Sequence, residues 1–144
     1  MSEMNRRHLL LSGLGALALG GVGVMMLARS STAADWEHRF MPVAEMTGDG
    51  GLLVDIRTPP EWSETGVIEG ARLIEFDFNR PNTFLPQIAG DIADGRDLVL
   101  ICRSGNRTQV VADFLAQQIP NRIVSIEGGI KRVIAAGYKP VPPS

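Results

Sequence analysis

The fold is decided by a stretch in the second half of the chain, Asp97-Leu98-Val99-Leu100-Ile101-Cys102-Arg103-Ser104-Gly105-Asn106-Arg107-Thr108. Residues 97–101 are an apolar run of strand length, and residues 108–115 repeat apolar side chains at helical spacing. Cys102, the only cysteine among 144 residues, therefore lies where a buried strand turns into a helix.

The residues after Cys102 indicate a reactive sulfur. A free cysteine is most often a small buried hydrophobic residue, but the polar stretch 103–107 does not continue a core. At the start of a helix, unpaired backbone N–H groups and the helix dipole favour a bound anion. Arg103 and Arg107 add positive charge, and Gly105 permits the tight curvature of such a loop. We expect a partly exposed, electropositive site for a thiolate and an anionic substrate.

The strands and helices predicted along the rest of the chain alternate. Strands are predicted at residues 52–56, 71–74, 97–101 and 122–126, and helices from residue 58 and at residues 80–93, 107–118 and 130–136. Pro86 predicts a break in the second of these helices. Residues 35–41 are predicted to be a short helix or an arm laid on the sheet. Such alternation is typical of a parallel sheet that is covered on both faces, with the reactive loop at the carboxyl ends of its strands.

The N-terminal 34 residues have the layout of an export signal. Arg6 and Arg7 precede an apolar, uncharged segment at residues 9–27, and the small residues 31–34 offer a cleavage site. Residues 5–10 resemble a twin-arginine signal. We therefore expect a periplasmic or otherwise exported protein. The alternatives are an ordinary secretory signal and an uncleaved anchor, because residues 9–27 are long enough to attach the chain to the inner membrane with its folded part outside the cytoplasm.

Composition limits the partners of the protein. With 14 basic and 16 acidic residues, the formal net charge is −2, which argues against nucleic acid as a partner. Residues 35–144 suffice for one domain. Apart from methionine, His38 and Cys102 are the only soft ligands in that part, so we expect no metal. No nucleotide-binding motif is present, and no cofactor is expected. We expect a monomer.

Further motifs accompany the cysteine loop along the chain. They are residues 54–62 (Val-Asp-Ile-Arg-Thr-Pro-Pro-Glu-Trp), 66–71 (Gly-Val-Ile-Glu-Gly-Ala), 102–108, 127–129 (Glu-Gly-Gly) and 137–141 (Gly-Tyr-Lys-Pro-Val). In the order and spacing of these motifs, the chain from about residue 50 to 141 resembles a single-domain rhodanese, a sulfurtransferase. The resemblance implies an α/β fold with an open parallel five-stranded sheet and helices on both faces, within a domain at residues 35–144.

The resemblance also implies an activity. Cys102 takes a sulfane sulfur from a small anionic donor such as thiosulfate, forms a persulfide and passes the sulfur to a thiol or cyanide acceptor. A thiolate nucleophile and a covalent intermediate would divide this transfer into two half-reactions. Donor and persulfide are both anionic, which fits the N–H groups and arginines of the loop. The predicted substrate-binding residues are Arg103, Ser104, Gly105, Asn106 and Arg107.

Two charged residues and a glycine pair are assigned supporting roles. Asp55 and Arg57 end a strand and are predicted to be structural, with Arg57 pairing to Glu61, because buried carboxylates usually pair or accept hydrogen bonds. Gly128 and Gly129 are predicted to let the chain pass close to the cysteine loop.

Three other functions are weighed against sulfur transfer. A cysteine phosphatase or arsenate reductase needs five residues between cysteine and arginine, and here Arg107 comes one residue early. A cysteine protease is disfavoured because His38, far from the loop in sequence, is the only histidine of residues 35–144. The serious alternative is a rhodanese-fold sulfur carrier or redox sensor that acts on a protein partner without turnover.

Overall fold

Across the described residues, 36–48 and 50–144, the computed structural model has five strands that pair in parallel. They are β1 (Trp36–Arg39), β2 (Leu52–Asp55), β3 (Arg72–Leu73), β4 (Leu98–Ile101) and β5 (Ile123–Ile126). Their order in the sheet is β1-β5-β4-β2-β3. The strand that leads to Cys102 is therefore central, and its carboxyl end lies among those of its neighbours.

Short helices connect these strands. They are α1 (Val43–Gly48), α2 (Pro59–Thr65), α3 (Leu85–Ile88), α4 (Asn106–Ala116) and α5 (Gly129–Ala135), with a 3-10 helix at Pro81–Thr83. In this part of the chain, no helix has the length and apolar character needed to span a bilayer. The predicted export signal at residues 1–34 lies outside the described residues.

The central strand β4 packs against helices on both faces of the sheet. Leu98 and Leu100 join a buried cluster that includes Val111 and Leu115 of α4. Val99 and Ile101 point to the opposite face, where the buried cluster includes Ile130 and Val133 of α5 and Met46 of α1. All four residues of β4 are buried, as expected for a strand covered on both sides. The predicted five-stranded parallel sheet with helices on both faces is confirmed.

The first strand is a correction to the sequence prediction. Residues 36–39 are not a helix or an arm but an edge strand, with Trp36 opposite Ile123 and His38 opposite Ser125 of β5. An unpaired strand edge leaves its backbone N–H and C=O groups without partners, and β1 supplies those partners along one edge of β5. This pairing depends on contacts far along the chain, so local residue spacing does not reveal it.

The helix predicted at residues 80–93 is shorter and broken. A 3-10 turn at Pro81–Thr83 is followed by a single α-helical turn, α3. Pro86 lies in the first turn of α3, where the missing N–H of proline costs no helical hydrogen bond. The apolar spacing was still informative, because Phe84, Ile88 and Ile92 are buried.

A buried ion pair closes the end of β2. Arg57 donates from Nε to Oδ1 of Asp55 at 2.9 Å and from Nη2 to Oδ2 at 2.7 Å, and both residues are fully buried. The remaining guanidinium donors reach the Thr65 hydroxyl and the carbonyl oxygens of Glu61 and Gly66. The predicted pairing of Arg57 with the Glu61 side chain is therefore wrong. Asp55, two residues earlier, offers the planar guanidinium a two-point contact.

We predict that Arg57→Met lowers the free energy of unfolding by about 3–5 kcal/mol, because the Asp55 carboxylate remains buried without its partner. The measurement is urea-induced unfolding of the wild type and the variant. Arg96→Met is the matched control, because Arg96 pairs with Asp94 on the surface. A loss in Arg57→Met no larger than that in the control would show that the buried pair contributes little.

Candidate active site

Cys102 directly follows β4, three residues before the N-cap residue of α4. The residue is only 1% exposed, so the predicted partly exposed position is wrong. The backbone N–H of Gly105 donates to its Sγ at 3.2 Å. Burial removes water from the sulfur, and the helix start supplies a donor in its place. Of the loop N–H groups at residues 103–107 that were predicted to bind the sulfur, that of Gly105 makes the hydrogen bond.

The turn above the sulfur requires glycine at position 105. Gly105 has φ +91°, in the left-handed region that side chains other than glycine rarely adopt. A Cβ atom there would lie 2.9 Å from the carbonyl oxygen of Ile126 and 3.1 Å from Cε1 of His38. Glycine therefore serves both the curvature of the loop and its close packing on β5 and β1.

The glycine pair after β5 holds the other side of the loop. The N–H of Ile130 donates to the carbonyl oxygen of Cys102 at 2.8 Å, and that of Lys131 donates to the carbonyl oxygen of Arg103 at 3.2 Å. A Cβ atom on Gly129 would lie 2.4 Å from the Cys102 carbonyl oxygen. The prediction that Gly128 and Gly129 bring the chain close to the loop is confirmed.

The two arginines of the loop differ in their surroundings. Arg107 donates from Nη2 to Oε1 of Glu61 at 2.6 Å and from Nη1 to Oε2 at 2.9 Å. Glu61 raises the pKa of Arg107 above its ordinary value, with a smaller contribution from the charge of Cys102. Arg103 is exposed and makes no ion pair with any described residue. Arg103 therefore keeps its full charge for an anion, whereas that of Arg107 is largely balanced.

The remaining predicted substrate-binding residues lie at the surface. Ser104 and Asn106 are exposed, and their side chains make no hydrogen bond within the described part of the chain. Asn106 is the first residue of α4. Both follow Cys102 within four positions of the sequence, and their roles in binding stay predictions.

Three residues that the sequence did not assign to the site form a series of polar contacts that ends at the sulfur. Thr108 Oγ1 lies 3.7 Å from Cys102 Sγ, the Ser125 hydroxyl lies 2.8 Å from Thr108 Oγ1, and His38 Nδ1 lies 2.9 Å from Ser125 Oγ. Although His38 is far from the loop in sequence, β1 brings it beside Gly105. One signal was available: Ser125 interrupts the apolar run Ile123–Ile126.

Comparison with known proteins identifies the family. The model of the rhodanese-like domain matches residues 42–136, and the chain therefore belongs to the rhodanese-like domain family. A protein named sulfurtransferase from Allochromatium vinosum is 35% identical over 79 residues, which make up 55% of this chain and 67% of that protein.

Solved structures share the fold. A rhodanese-related protein from Thermoplasma volcanium is 26% identical with a TM-score of 0.53, over 69% of this chain and 94% of that one. A protein of unknown function from Rhodopseudomonas palustris, described as a possible tyrosine phosphatase, is 20% identical with a TM-score of 0.53, over 69% of this chain and 81% of that one. At 20% identity, the second likeness concerns the fold alone.

We predict that Glu61→Gln weakens the dependence of the free energy of unfolding on pH. Arg107 lowers the pKa of Glu61 to about 2 from 4.5. Because the folded value lies below the unfolded one, the contribution of this carboxylate to stability is complete above pH 4.5 and is lost as the pH falls toward 2. Urea unfolding at pH about 5 and about 3 should show a smaller difference in the variant than in the wild type.

Glu64→Gln is the control, since Glu64 is an exposed carboxylate on the same helix. This variant should keep the wild-type difference between the two pH values. An equal difference in all three proteins would contradict the assigned role of the Glu61–Arg107 pair.

Proposed function

We propose that the protein is a sulfurtransferase that carries a sulfane sulfur on Cys102 from a small anionic donor, such as thiosulfate, to a thiol or cyanide acceptor. The observation that carries this proposal is the hydrogen bond from the Gly105 N–H to Cys102 Sγ at 3.2 Å. It gives a sulfur anion a fixed donor at the start of a helix, where an anion is most favoured. The rhodanese-like family and the sulfurtransferase from Allochromatium vinosum support the assignment.

The proposed transfer has two steps. The Cys102 thiolate attacks the outer sulfur of thiosulfate, a bond forms between the two sulfur atoms, and the S–S bond of thiosulfate breaks. Sulfite leaves with the electron pair of that bond, so Cys102 becomes an anionic persulfide. Cyanide or a thiolate then attacks the outer sulfur, and the cysteine thiolate is released. The sulfur anion is preserved through both steps, so a donor that stabilises the thiolate also stabilises the persulfide.

The geometry of Arg107 argues against phosphate chemistry. A loop that binds a tetrahedral phosphate uses its arginine as a two-point ligand for the oxygens. Here both terminal nitrogens of Arg107 are engaged by the Glu61 carboxylate. The loop presents one N–H to a single sulfur atom, which suits sulfur transfer better than the binding of a phosphate group.

We predict that the purified protein gains one sulfur atom on incubation with thiosulfate, because the activated thiolate is the nucleophile that persulfide formation needs. Intact mass spectrometry measures the adduct, and cyanide should remove it as thiocyanate. Cys102→Ser is the control and should gain nothing. No adduct on a wild-type protein whose thiol is shown to be reduced would reject thiosulfate as donor and favour the sulfur carrier or redox sensor.

We predict that Arg103→Gln raises the KM for thiosulfate about fivefold with little change in kcat, as expected for the loss of about 1 kcal/mol of attraction at the surface. Arg107→Gln should raise KM and also lower the melting temperature, because Glu61 loses its partner. Steady-state kinetics and thermal unfolding separate the two effects. Arg80→Gln is the control for an exposed arginine elsewhere. An unchanged KM in Arg103→Gln would show that Arg103 does not attract the donor.

A further inference from the structure

A continuous row of hydrogen-bonding groups leads from the edge of the sheet to the cysteine. His38 Nδ1, Ser125 Oγ, Thr108 Oγ1 and Cys102 Sγ stand in that order at successive separations of 2.9, 2.8 and 3.7 Å. Ser125 and Thr108 are fully buried and Cys102 nearly so, whereas His38 is half-buried. The four groups come from β1, β5, α4 and the loop after β4.

The burial of Ser125 needs an explanation. It is the only polar residue of β5, and all four residues of that strand are buried. A hydroxyl group without a partner is costly in such a position, so an alanine there would be the simpler residue. Among the described residues, the hydrogen-bond partners of the Ser125 hydroxyl are His38 and Thr108, so all of its contacts belong to this row.

The Ser125 hydroxyl donates to Thr108 Oγ1, and this hydrogen bond gives the row a direction. Each hydroxyl group has one proton to donate. Because the only Ser125 proton points to Thr108, Ser125 Oγ accepts from the Nδ1–H of His38 at 2.9 Å. The Thr108 proton is then free, and it has two acceptors within reach: Cys102 Sγ at 3.7 Å and the carbonyl oxygen of Gly105 at 3.2 Å.

We propose that His38 is a positioning residue for Cys102, which acts through Ser125 and Thr108 to keep a hydroxyl proton available to the sulfur anion. With a thiol, Thr108 donates to the Gly105 carbonyl oxygen. When the thiol proton leaves to solvent, the Thr108 hydroxyl rotates and donates to the thiolate. The first two links stay in place in both states, the only covalent bond that breaks is the S–H bond of the thiol, and the row carries no net proton.

This inference adds a second donor to the one that Gly105 supplies. Its importance for catalysis rests on the proposed sulfur transfer, but the stabilisation of the thiolate does not. The test therefore uses no sulfur donor. Because Cys102 is the only cysteine of the chain, the ultraviolet absorbance of thiolate and the rate of alkylation by iodoacetamide both report on this residue alone.

We predict that Ser125→Ala and His38→Leu each lower the thiolate absorbance and slow alkylation at neutral pH. The expected effect is about threefold to tenfold, the range of one neutral hydrogen bond. Cys102→Ser supplies the baseline of both measurements. His38→Asn should stay near the wild type, since its side-chain amide N–H can take the position of the Nδ1–H. The double variant His38→Leu with Ser125→Ala should lose no more than Ser125→Ala alone, because both changes break one row.

The controls separate this role from support of the strand. Arg39→Gln changes a neighbouring residue of β1 whose ion pairs are with Glu37 and Glu45, and it should behave as the wild type. Circular dichroism and thermal unfolding establish that each variant is folded. If Ser125→Ala does not fold, the comparison of His38→Leu with His38→Asn decides alone, because His38 is half-buried on an edge strand.

Three results would overturn the proposal. They are a folded Ser125→Ala with wild-type absorbance and alkylation rate, a His38→Asn as impaired as His38→Leu, and losses that add in the double variant. A failure of thiosulfate to load Cys102, combined with the expected alkylation results, would reject the sulfur donor and leave the role of His38 intact.

Discussion

The sulfur anion that the proposed transfer places on Cys102 is buried, so it must receive from the protein the hydrogen bonds that water would otherwise give, and the surroundings of Cys102 meet this requirement. β4 ends in the core, so the next side chain is enclosed. Only a sharp left-handed turn brings the N–H of residue 105 back to the sulfur three residues earlier. That turn requires glycine, starts α4, and places Thr108 in the first turn of the helix.

Hydrogen bonds from α5 also hold the cysteine loop in place. The N–H groups of Ile130 and Lys131 donate to the carbonyl oxygens of Cys102 and Arg103. The contact is so close that position 129 has no room for a side chain. Two helix starts therefore meet at the cysteine: the N-cap residue of α4, Gly105, donates its N–H to the sulfur, and the first turn of α5 donates to the carbonyl oxygens.

Three arginines near the end of the sheet differ in how far their positive charge is balanced by a carboxylate. Arg57 is buried in a two-point contact with Asp55 and ties the end of β2 to α2. Arg107 joins α4 to Glu61 on α2, so it fixes the position of the cysteine loop and keeps only part of its charge for a substrate. Arg103, exposed and outside any ion pair of the described residues, has the freedom that attraction of an anion requires.

The sequence predicts best what short-range spacing determines. The buried strands, the α4 helix and the glycine turn at residue 105 are all local consequences of residue type. The pairing of Arg57 was wrong because two carboxylates, Asp55 and Glu61, lie within four residues of it, and only the packed structure decides between them. The burial of Cys102 was also missed, because the polar residues that follow it describe the loop surface and not the depth of the sulfur.

Topology accounts for the part of the site that no local pattern contains. The sheet order places the first strand beside the last one, so His38 and Ser125 become neighbours although 87 positions separate them in the chain. His38 also lies outside residues 42–136, the region matched by the family model, which includes Cys102, Thr108 and Ser125. Family membership therefore gives no information about His38. His38 lies near the cysteine loop because β1 pairs with β5. The hydroxyl groups of Ser125 and Thr108 lie between His38 and Cys102, and they connect the edge strand β1 to a sulfur atom at the end of β4.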